Sequence, residues 1–174
     1  MKSENNRVFL SLVRLGVGHA CDNSNYEQFD NLPFAINWAQ TKKLAEEQGL
    51  TAVVLDGIDK LPEKIRPPQL ILLQWIGEVL QEYETRYQAY QKVISNLAGF
   101  YNLYGIKMMV MKGYACSLDW PKPEHRPCGD IDIWQFGKQK EADELLKKKR
   151  HTSGCRSSSA HRVRVGGIRR RESL

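Results

Sequence analysis

The stretch of residues 69–104 carries the longest regular pattern in the chain and limits the folds that the chain can adopt. Its large apolar residues recur at spacings of three and four, which is the period of one face of an α-helix. They are Leu72, Ile76, Val79, Tyr83, Tyr87, Tyr90, Ile94, Leu97 and Tyr101. At about 1.5 Å per residue, a single helix here would be on the order of 50 Å long, so Gly77 and Gly99 are candidate positions for a kink.

The tyrosines of this stripe allow two interpretations. Their rings could form a surface on which nucleic acid bases stack, or they could pack into a core. Tyrosines at helical spacing more often belong to a core, and the core interpretation is favoured here. Three shorter helices are expected upstream, at residues 7–15, 33–48 and 50–61. The last of them contains Val53-Val54-Leu55, which has strand propensity, but its surroundings favour a helix.

Two short apolar runs follow, Met108–Gly113 and Gly129–Trp134. The first ends in a glycine turn, and the second carries Asp130 and Asp132. Because side chains alternate along a strand, the two aspartates are expected on one face, with the isoleucine after each of them in the core. Carboxylates about 6–7 Å apart repel each other unless a cation lies between them. Mg²⁺ fits, since it accepts one or two protein carboxylates and takes its other ligands from water and phosphate.

The order of elements around these runs indicates an α+β fold. Strands are expected at residues 106–111 and 128–135, and helices at 113–118 and 138–149, with a proline-interrupted loop at 119–126. The predicted organisation is therefore a mainly helical region at 1–104, a small core with strands at 105–149 and a tail at 150–174.

The pattern Met-Lys-Gly…Arg…Asp-Ile-Asp-Ile resembles a poorly characterised bacterial branch of the polymerase-beta-like nucleotidyltransferase superfamily. It is carried by Met111, Lys112, Gly113, Arg126, Asp130, Ile131, Asp132 and Ile133. The motif region covers residues 105–146, and most of residues 30–146 is similar to that branch. The resemblance implies a helical N-terminal region followed by a truncated nucleotidyltransferase-type mixed sheet flanked by helices. The superfamily usually has Gly-Gly or Gly-Ser at the turn, where this chain has Gly113-Tyr114.

The resemblance also implies a reaction, the transfer of a nucleoside monophosphate from a nucleoside triphosphate to an acceptor with release of pyrophosphate. Asp130 and Asp132 would be the catalytic metal ligands for Mg²⁺, with a two-metal arrangement possible in principle. The nucleotide phosphates would be bound by Gly113, by the amides that open the helix at Tyr114, and by Lys112 and Arg126. The acceptor could be a small molecule, an RNA or a protein. For Lys112, an exposed surface residue without this role is an equal alternative.

A third carboxylate from a later strand is usual in the superfamily, and none is found on a predicted strand after Asp132. This leaves an alternative function, a non-catalytic nucleotide-binding or regulatory module, which could belong to a toxin–antitoxin pair. The sequence leaves open whether the chain is an active enzyme.

The charge of the chain is unevenly distributed. The 174 residues carry a net charge of +6, but ten of the 26 basic residues and one of the 20 acidic residues follow Leu146. Residues 1–146 therefore hold 16 basic and 19 acidic residues, a net charge of −3, which gives no indication of nucleic acid binding. Residues 150–174 have the composition of a disordered basic segment. A solvated tail, a basic arm that touches nucleic acid, or a frame change near Lys149 would each explain it.

Neither the cysteines nor the histidines predict a metal site. Cys21, Cys116, Cys128 and Cys155 form no Cys-x-x-Cys pair, so reduced thiols in a cytoplasmic protein are expected. No apolar run approaches the roughly 20 residues of a membrane span, and no membrane partner is expected. The histidines are too sparse for a zinc site. His125, beside Arg126, could assist phosphate binding, but the interpretation as an ordinary loop residue is favoured.

Overall fold

A computed structural model describes residues 2–18 and 36–152, and the side chains of residues 5–18 and 36–149. The described α-helices are α1 (Lys2–Gly16), α2 (Trp38–Glu47), α3 (Thr51–Asp59), α4 (Gln69–Val79), α5 (Thr85–Asn102), α6 (Lys112–Ser117) and α7 (Gln139–Thr152). A π-helical segment, Leu80–Glu84, joins α4 to α5, and 3₁₀ helices lie at Glu63–Ile65 and Pro123–His125. The strands are β1 (Met109–Met111) and β2 (Asp132–Trp134), which form an antiparallel pair. The predicted α+β class is confirmed.

The described residues divide into two compact units. The first takes in the residues up to Tyr87 together with Asp119–Pro127. The second takes in Gln88–Leu118 and the residues from Cys128 onward. The division predicted from the sequence, at 1–104, 105–149 and 150–174, stays a prediction. Helix α7 includes the first three residues of the predicted tail, and residues 153–174 lie outside the described part of the chain.

The core of the first unit is built from α1, α2, α3 and α4. Leu12, Val54, Ile58 and Trp75 are each fully buried in it. Helices α1 and α3 approach so closely that only glycine fits at two positions. A Cβ on Gly16 would lie 2.0 Å from the carbonyl oxygen of Val53, and one on Gly57 would lie 2.1 Å from that of Leu12. The two glycines thus allow backbone contact between the helices.

The core of the second unit joins α5, α7 and the two strands. Its fully or nearly buried residues are Tyr90, Tyr101, Ile106, Cys128, Ile131, Ile133 and Ala142. The Tyr90 hydroxyl donates a hydrogen bond to the carbonyl oxygen of Cys128 at 3.1 Å, which fixes the chain that leads into β2. Tyr87, Tyr90 and Tyr101 are all buried, so the core interpretation of the tyrosine stripe is confirmed for these residues.

The long helical stretch is regular except at one segment. A change of helix type is found at Leu80–Glu84, where the backbone becomes π-helical, and the candidate kink positions Gly77 and Gly99 lie within α4 and α5. The Thr85 hydroxyl donates to the carbonyl oxygen of Leu80 at 2.9 Å and so satisfies one of the displaced carbonyls. Helix α5 ends at Asn102, and Gly105, with a φ of 65°, reverses the chain.

Both strands are shorter than predicted. The predictions of 106–111 and 128–135 are wrong in length, because the described strands pair over three positions only, Met109–Met111 with Asp132–Trp134. Asp130 therefore precedes β2 rather than lying in it. The predicted alternation still holds for the two isoleucines, since Ile131 and Ile133 are both buried.

Candidate active site

The register of the two strands brings the turn and the acidic segment together. Met111, the last residue of β1, pairs with Asp132, the first residue of β2. The chain turns directly after Met111 and enters the short helix α6 at Lys112. In an antiparallel pair, the residues after Met111 lie opposite the residues before Asp132. The turn at Lys112 therefore lies beside the residues that precede Asp132. The second unit therefore places residues 112–113 and residues 130–132 side by side.

Lys112 is the residue at which the chain turns. Its φ of 49° is in the left-handed region, which costs a residue with a side chain about 1–2 kcal/mol. Its side chain is 77% exposed, and its Nζ atom lies 3.7 Å from Oδ2 of Asp132. The backbone conformation thus directs an exposed ammonium group toward the aspartate that opens β2. Lys112 is both a surface residue and a neighbour of the acidic segment.

Gly113 packs against the backbone of Asp130. A Cβ at this position would lie 3.2 Å from the carbonyl oxygen of Asp130 and 3.9 Å from its Oδ1 atom. The first distance is tighter than ordinary contact, so a larger residue would push the acidic segment away from the turn. Gly113 thus allows two protein segments to approach each other closely. This role is additional to the phosphate contact that the resemblance implies.

The carboxylate of Asp132 is largely withdrawn from water, with 11% of its side chain exposed. The 3.7 Å separation from Lys112 is longer than a hydrogen bond, so the lysine neutralises this charge only in part. Buried carboxylates are normally paired or bound to a metal. With Asp130 two residues away and half-buried, the site offers hard oxygen ligands of the type that Mg²⁺ prefers.

Tyr114 and Arg126 have different surroundings. Tyr114 is half-buried against the core of the second unit, and its carbonyl oxygen accepts a hydrogen bond from the Ser117 hydroxyl at 2.6 Å. Arg126 belongs to the first unit, where its guanidinium group lies 5.9 Å from the centre of the Trp120 ring. The structure thus brings Lys112, Gly113, Asp130 and Asp132 together within one unit, whereas Arg126 is part of the other.

A second cluster of charged groups was missed by sequence reasoning. His125 is buried, with its Nδ1 atom 2.7 Å from Oδ2 of Asp56 and its Nε2 atom 3.4 Å from Oε1 of Glu84. Lys122 donates from Nζ to Oδ1 of Asp56 at 2.6 Å. The interpretation of His125 as an ordinary loop residue is wrong, because it is a buried member of a 3₁₀ helix. All four residues belong to the first unit.

One weak signal of this cluster is present in the sequence. Asp56 interrupts the apolar helix α3, whose residues from Thr51 to Val54 are all buried, and a buried carboxylate requires partners. Those partners, Lys122 and His125, lie 66 and 69 positions away in the chain, so no local spacing could identify them. Burial lowers the pKa of His125, but the hydrogen bonds and charges of Asp56 and Glu84 outweigh burial and raise the pKa above its ordinary value of 6.5.

The described residues contain few other features that indicate a metal site, a disulfide or a membrane span. In the described part of the chain, no group of three or more His, Cys, Asp or Glu side chains is arranged to hold a metal ion. Cys116 and Cys128 are reduced thiols, whereas Cys21 and Cys155 lie outside the described residues. Among the described helices, none combines the length and the apolar composition that crossing a bilayer requires.

Comparison with known proteins supports the resemblance to nucleotidyltransferases that the motif indicates. A protein-family model described as an uncharacterised nucleotidyltransferase matches residues 35–166. The match covers more than half of the chain and includes both strands, the turn and all the residues of the site. The comparisons with curated proteins and with solved structures each gave no significant match. The chain therefore belongs to this family of uncharacterised nucleotidyltransferases.

Proposed function

We propose that the second unit binds a nucleoside triphosphate with Mg²⁺ and transfers the nucleoside monophosphate to an acceptor. Membership of a nucleotidyltransferase family supports the general activity. The observation that carries the proposal is the strand register, which sets the Lys112–Gly113 turn against the two aspartates, with the Lys112 ammonium group 3.7 Å from Asp132. Kinship with the polymerase-beta-like superfamily, a bacterial origin and a cytoplasmic location are parts of the same proposal.

Each residue has a role in this proposal. Asp130 and Asp132 hold Mg²⁺, which supplies positive charge to the phosphate oxygens as their negative charge grows. Lys112 is exposed and has a flexible stem, so that its ammonium group can move from Asp132 to a phosphate oxygen. Gly113 keeps the acidic segment close to the turn and leaves the backbone uncovered for the phosphates. The backbone of Tyr114 is a further proposed phosphate contact, whereas the phosphate contact that the resemblance implies for Arg126, a residue of the first unit, stays a prediction.

The reaction requires an in-line displacement. A bond forms between a nucleophilic atom of the acceptor and the α-phosphorus while the bond from that phosphorus to the bridging oxygen breaks, and pyrophosphate leaves. The protein contributes mainly by positioning the triphosphate and by neutralising charge. The acceptor, which loses a proton in this step, is a small molecule, an RNA or a protein.

The second candidate function is a module that binds the nucleotide without transferring it, in a regulatory role or as part of a toxin–antitoxin pair. The observation that favours it is that the described residues offer no third carboxylate beside Asp130 and Asp132. Both functions require Mg²⁺ and nucleotide binding, and only the first requires turnover.

Calorimetry with Mg²⁺ and each of the four nucleoside triphosphates tests the shared step. The wild-type protein should give saturable heat with at least one of them, and the double variant Asp130→Asn, Asp132→Asn should lose it. The variant Glu144→Gln, which alters an exposed acid of α7, is the control and should bind as the wild type does. Equal heats for the wild type and the double variant would disprove the site.

A transfer assay with a triphosphate labelled at the α-phosphate then separates the two functions. Label that becomes attached to an acceptor in a cell extract, and that requires both aspartates, would support the transferase. Binding that depends on the aspartates, with no transfer to any acceptor fraction, would support the non-catalytic module.

A further inference from the structure

The first unit contains a cavity, and the described residues that line it all belong to that unit. Its volume is about 290 Å³, which is close to the lower end of the range for small-molecule sites. Its apolar wall consists of Leu55, Ile58, Leu72, Ile76, Val79 and Leu80. All six side chains are aliphatic, so the wall suits a hydrocarbon chain.

Charged groups complete the lining of this cavity. They include the cluster around His125, namely Asp56, Glu84 and Lys122, together with Asp59 and Arg66. A mostly apolar pocket with a few converging polar groups and a histidine of raised pKa has the features of a ligand site. The polar groups determine which head group the cavity can accept.

The two basic residues of the lining are already engaged. Lys122 donates to the carboxylate of Asp56 at 2.6 Å. Arg66 donates from Nε to the carbonyl oxygen of Leu61 at 2.9 Å and from Nη2 to that of Asp59 at 2.6 Å. By contrast, the carboxylate of Glu84 is one-third exposed, and its contact with His125 is a long one of 3.4 Å. Glu84 is therefore an acceptor that remains available to a ligand, and it favours a ligand that carries a donor.

His125 reinforces this preference when it is neutral. Its Nδ1 atom faces the carboxylate of Asp56, which only accepts hydrogen bonds, so Nδ1 carries the hydrogen. In the neutral ring, Nε2 is then an acceptor that faces a second acceptor, the carboxylate of Glu84. A donor placed against both atoms would satisfy them. With a neutral His125, the three acids and two bases of the lining carry a net charge of −1.

We infer that this cavity binds a small aliphatic amine, with its ammonium group against Glu84 and His125 and its hydrocarbon chain along the aliphatic wall. The charge of the amine balances that of the lining, and its N–H groups donate to both acceptors. Protonation of His125 removes one of those acceptors and the net negative charge. Binding therefore weakens as the pH falls through the titration of His125, whose charged neighbours are Asp56, Glu84 and Lys122.

Calorimetry on the full chain with hexylammonium, hexanol and hexanoate tests this inference. At pH 8.5 the ammonium ion is still charged, and it should bind at least about tenfold more tightly than the alcohol, a difference of about 1.4 kcal/mol, with hexanoate the weakest. The variant Glu84→Gln should reduce the preference for the ammonium ion to about twofold or less. The matched variant Glu82→Gln, which changes an exposed acid of the same π-helical segment outside the cavity, should leave the preference unchanged.

A thermal melt of Glu84→Gln shows whether the variant is folded. If it is not, the wild-type protein decides the question alone, because its preference for hexylammonium over hexanol must fall as the pH is lowered through the titration of His125. Equal affinity for the ammonium ion and the alcohol at pH 8.5, or no saturable binding of either probe, would overturn the inference.

Discussion

Lys112 shows how one residue can serve both the backbone and the site. Its left-handed backbone conformation makes the turn after β1, and its exposed ammonium group lies within 3.7 Å of Asp132. A glycine would adopt the same conformation with less strain. A lysine in this position therefore costs conformational free energy. A contact between its ammonium group and a phosphate would offset that cost.

Replacing Lys112 by alanine should weaken nucleotide binding. Loss of one charged phosphate contact should raise the dissociation constant for the Mg²⁺–nucleotide complex by about tenfold. The measurement is calorimetry, with Lys107→Ala as the control because Lys107 is an exposed lysine just before β1. If both variants bind as the wild type does, Lys112 is a surface residue without a role in binding.

His125 should make the stability of the protein depend on pH. Its pKa in the folded state is raised above 6.5, because the carboxylates of Asp56 and Glu84 outweigh the effect of burial. Its charged form therefore stabilises the fold fully below the pKa of the unfolded chain, and this contribution is lost as the pH rises through the folded pKa. Urea unfolding of the wild type and of His125→Gln between pH 5.5 and pH 8.5 should give a difference in unfolding free energy that shrinks as the pH rises. A difference that grows with pH would contradict the assignment.

At the scale of elements, the two units differ in the contacts that stabilise each of them. In the first unit, α1 and α3 meet through backbone contacts that Gly16 and Gly57 permit. In the second unit, two helices and two short strands share a core, and three residue pairs form the sheet. A sheet of this size depends on the helices packed against it.

Gly57→Ala should destabilise the protein by about 3 kcal/mol. The new Cβ would lie 2.1 Å from the carbonyl oxygen of Leu12, and a backbone atom can move away only if the whole helix shifts. Gly77→Ala is the matched control, since Gly77 also lies within a helix but a Cβ there would meet nothing within 4 Å. That variant should stabilise the protein by about 1 kcal/mol, because alanine favours the helix. Thermal and urea unfolding measure both, and equal effects would contradict the close approach of α1 and α3.

At the scale of the whole molecule, the two candidate sites lie in different units. The proposed nucleotide site uses the strands and turn of the second unit, and the cavity is lined by residues of the first. Each unit has its own hydrophobic core. A ligand that binds the native state adds stability where its contacts are made, and the added stability grows with the logarithm of its concentration.

Hydrogen exchange should therefore distinguish the two ligands by location. Mg²⁺ with nucleotide should slow exchange mainly within residues 88–118 and 128–152, and hexylammonium mainly within residues 51–87 and 119–127. Mass spectrometry of peptide fragments measures both patterns. Protection by the nucleotide confined to the first unit would place its site elsewhere than at Asp130 and Asp132.

The sequence alone determined much of the local structure. Helical periodicity predicted the helices around Tyr87 and Tyr90, and alternation predicted that Ile131 and Ile133 are buried, because both patterns depend only on the spacing of neighbouring residues. The motif also predicted membership of a nucleotidyltransferase family. The sequence predicted strands that are too long, because strand length depends on the partner that is available for pairing.

The tertiary structure decided what distant residues do together. The cluster of Asp56, Glu84, Lys122 and His125 joins positions that are far apart in the chain, and no local rule connects them. The same holds for the backbone contact at Gly57 and for the approach of Lys112 to Asp132. The spacing of residues along the chain specifies which side chains share one face of a helix or a strand. Burial, charge pairing and cavities arise only when separate segments pack against each other.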